Sequence, residues 1–343
     1  MPPESALQDL RQSSLIERLP DAWRKPLGIL AAIVVALTLL AAREWGEMLH
    51  QWWNIDTYNH ILLVPPIMGW LIAMKVGELA KVAPQPWLPG LALVAAGLGL
   101  WLTGRATDIN LLAHAGAVGA VQGAIVAVLG VRVSLLLALP LCFGVFLVPF
   151  GDEIIPPLQM ITAEIAIALT LWSGIPAVID GIYIDTPVGL FIVAEACSGV
   201  KFLIAMVTLA GLVCFTRFES WAKRAAFLAA AIIVPILANG VRAWGTIYIA
   251  QSQGVEFAAG FDHIFYGWIF FAIVVALVLA GAWRFFEREP EEYGWTADDL
   301  DRFASLSRIE GSAVAPRRML VALVAIIAVT VVAVVIVAPP AIG

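Results

Sequence analysis

The stretch that decides the fold is INLLAHAGAVGAVQGAIVAVL, residues 109–129. It contains no Asp, Glu, Lys or Arg, and about 20 apolar residues in a row let a helix cross the hydrocarbon core of a bilayer. Similar stretches recur, so that 61% of the 343 residues are hydrophobic and only 13% are charged, with a mean hydropathy of +0.92. Soluble domains are about 45–50% apolar and about 25% charged. The sequence therefore predicts an all-α polytopic membrane protein.

The composition also excludes several functional classes. A soluble enzyme and a disordered chain do not have this hydropathy, and three cysteines are too few for a disulfide framework. The net charge is −6 and the 20 Lys and Arg residues form no basic stripe, so we expect no nucleic-acid partner. Because the four histidines lack metal-ligand spacing and glycine-rich phosphate loops are missing, we also expect no metal and no cofactor.

The length criterion, applied to the whole chain, predicts an eight-span core and one further C-terminal span. The predicted spans are 27–42, 60–74, 87–103, 109–129, 133–150, 199–215, 225–242, 264–283 and 318–338. The chain is thereby divided into a cytoplasmic N-terminal segment (1–26), a transmembrane core (27–284), a charged cytoplasmic linker (285–317) and an additional C-terminal span (318–343).

The distribution of basic residues predicts the orientation. With the N-terminus in the cytoplasm and the spans alternating, sixteen of the 20 Lys and Arg residues fall on the cytoplasmic side and four on the other side. This asymmetry agrees with the positive-inside rule. We therefore expect the N-terminus and the charged linker to be cytoplasmic.

The region before Cys197 does not follow the pattern of simple spans. Residues 155–173 are apolar but carry Gln159 and Glu164, and counting them as a span would move nine basic residues outside. We predict a helix that lies in the outer interface or dips into the membrane and returns. In residues 177–193, Asp-Gly and Thr-Pro-Val-Gly separate short β-branched runs, which predicts a small β-hairpin.

Three ionisable groups are expected near the outer ends of consecutive spans. Cys197 precedes the span 199–215, Arg242 ends the next span, and His263 begins the one after it. These residue types suit thiol-based acyl transfer. A neighbouring His⁺ and a helix N-terminus both favour a thiolate, His263 can protonate a leaving amine, and the guanidinium of Arg242 can stabilise an oxyanion.

Cys197 is also the only cysteine predicted on the oxidising side of the membrane. Cys214 lies 17 residues further along the same helix, about 25 Å away at 1.5 Å per residue, so the two thiols cannot pair. Cys142 lies within an apolar run, where a thiol is usually inert.

Lys201 follows Cys197 by four residues on the same helical face, where it can support the thiolate, bind a carboxylate or simply extend to the interface.

Four short motifs resemble those of the exosortase/archaeosortase family, most closely exosortase A. The motifs are EACSG (195–199), ANGVR (238–242), DHIFYGW (262–268) and NHILLVPPI (59–67). Their order and spacing extend the resemblance over roughly residues 27–284. The resemblance implies that Cys197 is the nucleophile, Arg242 an oxyanion-binding or substrate-binding cation, and His263 the general acid/base. Candidates for supporting or substrate-binding roles are His60, Lys201, Glu195 and Asn239.

The resemblance implies a cysteine peptidase or transpeptidase of the bacterial inner membrane, with its site on the periplasmic side. The implied substrates are secreted proteins whose C-terminal sorting tails contain a Pro-Glu-Pro motif, a transmembrane helix and a basic cluster. The implied context is exopolysaccharide or biofilm-matrix export. The acyl acceptor stays open between water, an amine and a glycan-linked lipid.

Two other functions fit parts of the sequence. A non-enzymatic channel or flippase-like component of polysaccharide export would share the polytopic architecture, but it needs intramembrane charges, for which Glu164 is the best candidate. A rhomboid-type serine protease is suggested by Ser198-Gly199. Its Gly-x-Ser-Gly motif requires Gly at position 196, where this chain has Ala196.

Overall fold

The computed structural model of the protein describes residues 19–261 and 269–337, and these are mostly helical. Among them the contacts define two compact units. The first is drawn from Met1–Pro149 and Gly294–Gly343, and the second from Phe150–Tyr293. The division of the chain into four segments, made above from composition, stays a prediction.

The helices and strands are numbered here in chain order. The α-helices are α1 (Arg24–Leu40), α2 (Ala42–Asn54), α3 (Val64–Leu79), α4 (Gly90–Thr107), α5 (Asn110–Leu129), α6 (Val131–Leu136), α7 (Ala138–Phe143), α8 (Ile155–Trp172), α9 (Val200–Arg217), α10 (Trp221–Gln253), α11 (Val255–Phe261), α12 (Phe271–Trp283), α13 (Ala297–Arg302), α14 (Ala304–Glu310) and α15 (Pro316–Val337). The strands are β1 (Val178–Asp180), β2 (Tyr183–Thr186) and β3 (Gly189–Ile192).

Eight helical stretches within the described ranges are long and apolar enough to cross a membrane. They are Asp21–Leu40, Asp56–Leu79, Gly90–Thr107, Asn110–Leu129, Asp152–Trp172, Val200–Arg217, Trp221–Gln253 and Pro316–Val334. This confirms the prediction of an all-α polytopic membrane protein.

Two of the predicted spans differ in the structure. The stretch 133–150 is broken into α6, α7 and a 3₁₀ turn at Gly144–Leu147. Pro140 explains the break, because it has no N–H for the carbonyl of Leu136 and its ring clashes with that carbonyl in a continuous helix. Of the stretch 264–283, α12 is described, whereas residues 262–268 lie outside the described residues.

The predicted hairpin is a three-stranded antiparallel sheet in the order β1-β2-β3. Both turn signals form turns, at Asp180-Gly181 and at Pro187, so the segment contains one strand more than predicted. Its side chains alternate between the two faces. Ile184 is fully buried, whereas Leu190 and Ile192 are exposed, and the buried face packs against the second unit's helices.

In the first unit, α4 and α5 pack backbone against backbone. A Cβ on Gly97 would lie 2.4 Å from the backbone nitrogen of Ala120, and one on Gly116 would lie 2.2 Å from that of Trp101. Small residues permit this close approach between membrane helices.

The charged segment after residue 293 is folded within the first unit. The buried Nζ of Lys75 donates to the carbonyl of Trp295 (3.0 Å), and the guanidinium of Arg132 pairs with Asp301 and Glu310. These partners come from helices far away in sequence. The segment predicted as a linker therefore contains ordered helices, α13 and α14.

In the second unit, Glu287 stabilises the N-terminus of α10. Its carboxylate binds the Nζ of Lys223 (2.8 Å) and accepts from the backbone N–H groups of Ser220 (2.9 Å) and Glu219 (2.7 Å). The bond from Lys223, followed by the two backbone bonds, lowers the pKa of the Glu287 carboxyl from 4.5 to about 2.

The depressed pKa predicts a pH-dependent contribution of Glu287 to stability. A carboxylate with a lowered folded-state pKa stabilises above the unfolded value and loses this effect as pH falls through the folded value. Near neutral pH, Glu287→Gln should therefore melt below wild type in detergent. The difference should shrink between about pH 4.5 and about pH 2. Glu291→Gln, an exposed neighbour, is the control, and a difference that does not change with pH would contradict this role.

Candidate functional site

Cys197 lies in a short non-helical segment between β3 and α9. A 3₁₀ turn at Glu195–Cys197 brings it to the start of α9, and its N–H donates to the carbonyl of Ala194 (2.8 Å). Gly199 follows with a φ of +82°, a left-handed conformation that glycine adopts without strain. The thiol is free and the residue is half-buried.

The amide of Asn239, on α10, holds this segment from one side. Its Nδ2 donates to the carbonyl of Cys197 (2.8 Å) and to the hydroxyl of Thr162 on α8 (3.0 Å). The Thr162 hydroxyl in turn donates to the carbonyl of Ser198 (3.5 Å). Thus two helices supply the partners for the carbonyls of Cys197 and of the residue that follows it.

A further polar residue of α8 binds the beginning of the same segment. The Nε2 of Gln159 donates to the carbonyl of Val193 (2.8 Å). The sequence shows Gln159 and Thr162 as isolated polar residues in an apolar helix. The signal in the sequence is that they lie three residues apart, on one helical face. This signal does not identify their hydrogen-bond partners, which lie more than 30 residues away.

Cys197 borders a small pocket of about 80 Å³ in the second unit. The sheet forms one wall and α10 the other. The lining residues are Ile184, Phe191, Ile192, Val193, Cys197, Asn239, Arg242, Ala243, Thr246 and Ile247. The pocket is therefore mostly apolar, and a thiol, a guanidinium and an amide are among its polar groups, an arrangement typical of ligand sites.

Arg242 follows Asn239 by three residues, so both occupy the same side of α10. Arg242 is buried, with 8% of its surface exposed. Between them, Gly240 faces α8, since a Cβ there would lie 2.4 Å from the Cγ2 of Ile165. Each of these three residues of the motif at 238–242 has a distinct structural role.

The structure thus brings together three of the residues singled out from the sequence, Cys197, Arg242 and Asn239. His263, the expected general acid/base, lies outside the described residues. The roles of all these residues stay predictions.

The other candidates do not line this pocket. The Nζ of Lys201 lies 5.3 Å from the centroid of the Phe202 ring, and Glu195 is exposed. His60 belongs to the first unit, where its Nδ1 is 3.0 Å from the carbonyl oxygen of Thr57. In the part of the chain that the structure describes, no group of three or more His, Cys, Asp and Glu residues could hold a metal ion.

Comparison with known protein families gives a match. The family model of transmembrane exosortases, EpsH type, matches residues 52–280, more than half of the 343 residues. The matched range includes Cys197, Asn239, Arg242 and His263. No curated protein and no solved structure matches the chain.

The geometry predicts that Gly199 cannot be replaced without displacing Asn239. A Cβ on Gly199 would lie 2.7 Å from the Cγ of Asn239, and the left-handed backbone adds strain. We expect Gly199→Ala to lower the melting temperature and to change the alkylation rate of Cys197.

Gly174→Ala is the matched control. Gly174 has a similar φ of +78°, but a Cβ there would meet nothing within 4 Å. The left-handed backbone alone costs an alanine about 1–2 kcal/mol, but Gly174→Ala does not displace Asn239. This variant should therefore keep the wild-type alkylation rate of Cys197. Equal changes in both variants would show that the Asn239 contact is unimportant.

Proposed function

Because the chain belongs to the transmembrane exosortase family, we propose that it is a membrane cysteine peptidase or transpeptidase that cuts C-terminal sorting tails. The observation that carries this proposal is the pocket that Cys197 and Arg242 share. A thiol and a permanent cation on one mostly apolar pocket suit nucleophilic attack on a carbonyl.

The proposed reaction is acyl transfer in two steps. The Cys197 thiolate attacks the scissile carbonyl, and the negative charge that develops on its oxygen is stabilised by the Arg242 guanidinium. The C–N bond then breaks, and the leaving amine takes a proton from the general acid, for which His263 is the candidate. A thioester remains on Cys197 until water, an amine or a glycan-linked lipid attacks it and releases the thiol.

Asn239 is proposed to position the nucleophile and to contact the substrate. Its Nδ2 is bound to Cys197 and Thr162, but its Oδ1 is buried and has no hydrogen-bond partner among the described residues. An unsatisfied buried acceptor costs about 1–3 kcal/mol. A backbone N–H of the bound peptide would satisfy it, since Asn239 lines the pocket.

The depth of the site supports an active centre at a membrane boundary. Trp221 begins α10 with an exposed indole, followed by Lys223 and Arg224, as is typical of a membrane interface. Asn239 lies 18 residues after Trp221, about 27 Å along the helix. This distance is close to the hydrocarbon thickness of about 30 Å. Because Asn239 binds Cys197, we place the thiol at the boundary opposite Trp221.

The packing of α8 supports the same placement. With 33 residues, α10 is about 50 Å long and exceeds the hydrocarbon core. The contacts of α8 with α10 begin at Thr162, which binds Asn239 (3.0 Å), and end just after α8 at Ser173, whose Oγ accepts from the Nε1 of Trp244 (2.9 Å). Although Asp152–Trp172 is long and apolar enough to cross a membrane, we infer that α8 accompanies the part of α10 that leaves the membrane and lies at the outer interface.

The remaining parts of the proposal come from the family and the charge distribution. The orientation predicted from the basic residues would put Cys197 on the periplasmic side of a bacterial inner membrane. The proposed partners are secreted proteins whose Pro-Glu-Pro motif reaches this side while their basic cluster stays in the cytoplasm. Export of exopolysaccharide or biofilm matrix is the proposed context.

The first test is co-expression with a reporter that carries a Pro-Glu-Pro sorting tail. Intact-mass measurement should show tail loss with wild type and none with Cys197→Ala or Cys197→Ser. Cys142→Ala, which removes an exposed free thiol of the first unit, should process normally. Equal processing by wild type and Cys197→Ala would refute the thiol mechanism, and the mass of the new C-terminus separates hydrolysis from transfer.

The proposed role of Arg242 predicts a loss confined to the chemical step. Arg242→Gln should lower kcat by about 100- to 1,000-fold, the usual effect of removing one oxyanion donor. KM should change little, because the oxyanion develops only in the transition state. Arg242→Lys keeps a cation and should recover part of the activity. A lowered melting temperature without rescue by Lys would instead indicate a structural role.

A further inference from the structure

An apolar groove runs between α10 and α12 of the second unit, and its volume is about 650 Å³. Its walls include Ala226, Ala230 and Val234 of α10, and Leu277, Val278 and Gly281 of α12. We call this the α10–α12 groove.

The same pair of helices continues towards the candidate site. Next to the groove, a narrow pocket of about 10 Å³ is lined by Pro235 and Ala238 of α10 and by Val274 of α12. Asn239 and Arg242 also line this narrow pocket, and both line the Cys197 pocket as well. One helix, α10, therefore provides a continuous path of lining residues from the α10–α12 groove through the narrow pocket to the pocket of Cys197.

The length of this path matches a membrane. Lys223, at one end of the groove lining, and Arg242 are 19 residues apart on α10. At 1.5 Å per residue this is about 28 Å, close to the hydrocarbon thickness of about 30 Å. The path along α10 therefore covers the depth that one transmembrane helix spans, and of its parts the groove, with about 650 Å³, has room for part of such a helix.

The walls of the groove are shaped for a helix. Ala226, Ala230 and Gly281 have small side chains, and a Cβ on Gly281 would meet nothing within 4 Å. Small residues let membrane helices approach closely. Lys223, the charged residue of the lining, is paired with Glu287 (2.8 Å), so its charge is already compensated and does not favour an anionic lipid headgroup.

We propose that the α10–α12 groove binds the transmembrane helix of the protein that is cut, so that the segment outside this helix reaches Cys197. This inference rests on the proposed function. Binding along the groove would fix the depth of the scissile bond, because the anchor and the pocket share α10. Positioning of this kind lowers the barrier of the reaction through orientation.

Filling the groove tests the proposal. Ala230→Trp places an indole in the groove, whereas Ala229→Trp adds the same group at the adjacent, exposed position, which does not line it. With the Pro-Glu-Pro-tailed reporter, Ala230→Trp should reduce processing about tenfold or more, and Ala229→Trp should stay near wild type. Both variants should keep the wild-type melting temperature and alkylation rate of Cys197.

The opposite wall of the groove, on α12, allows a second pair of variant and control in case Ala230→Trp does not fold. Gly281→Leu fills the groove from α12, and Ala280→Leu is its exposed control outside the groove. Normal processing by a folded groove variant would overturn the docking proposal and leave the proposed function intact. Processing by Cys197→Ala would instead refute the proposed function.

A crosslinking experiment reports docking without any cleavage. In a background that combines Cys142→Ala with Cys197→Ala, so that the exposed free thiol is removed as well, a cysteine is placed at Ala230 or at Ala229, and single cysteines are scanned through the reporter's transmembrane helix. Disulfide formation should be confined to Ala230→Cys and should recur with helical period along the reporter. Crosslinks from both positions alike, or from neither, would show that the groove does not bind this helix.

Discussion

The structure around the candidate site depends on satisfying the carbonyls of a non-helical segment. Near a bilayer, a backbone carbonyl without a hydrogen bond costs several kcal/mol, and the segment that carries Cys197 satisfies the carbonyls of Ala194 and Glu195 by its own N–H groups but not those around them. The amide of Asn239 and the hydroxyl of Thr162 bind the carbonyls of Cys197 and Ser198, and Gln159 binds the start of the segment. The contact between α8 and α10 therefore fixes the backbone that carries the Cys197 thiol.

This constraint explains why one short motif of α10 contains three different residue types. Asn239 binds the segment, Gly240 lets α8 approach because a Cβ there would lie 2.4 Å from Ile165, and Arg242 enters the pocket one turn later. The motif therefore combines helix packing with two polar side chains that line the pocket, within about one helical turn. Gly199 has the corresponding role on the other side, since its left-handed backbone turns the chain into α9 directly beside Asn239.

Most of the fold follows from local sequence, whereas the support of the site does not. Charge-free stretches such as 109–129 predict their helices, and residue type together with position at a span end singles out Cys197 and Arg242. The break before Pro140 was missed because hydropathy averages over a single proline. Gln159 and Thr162 were not recognised as supports, because their partners are distant in sequence and nothing in an isolated apolar helix identifies the carbonyl that a polar side chain will bind.

The two sites of the second unit suggest how selectivity is divided. The pocket at Cys197 has a volume of about 80 Å³ and the α10–α12 groove about 650 Å³, so the surface available for recognising a long apolar segment lies far from the thiol. On the proposed function, the pocket acts on the scissile bond and the groove recognises the membrane anchor. A soluble peptide with the same scissile sequence would lack the binding energy that the groove contributes. That energy matters because binding remote from the reacting bond is used to orient this bond for reaction. Selection of anchored chains would then follow from the shared helix α10 rather than from a long recognition sequence.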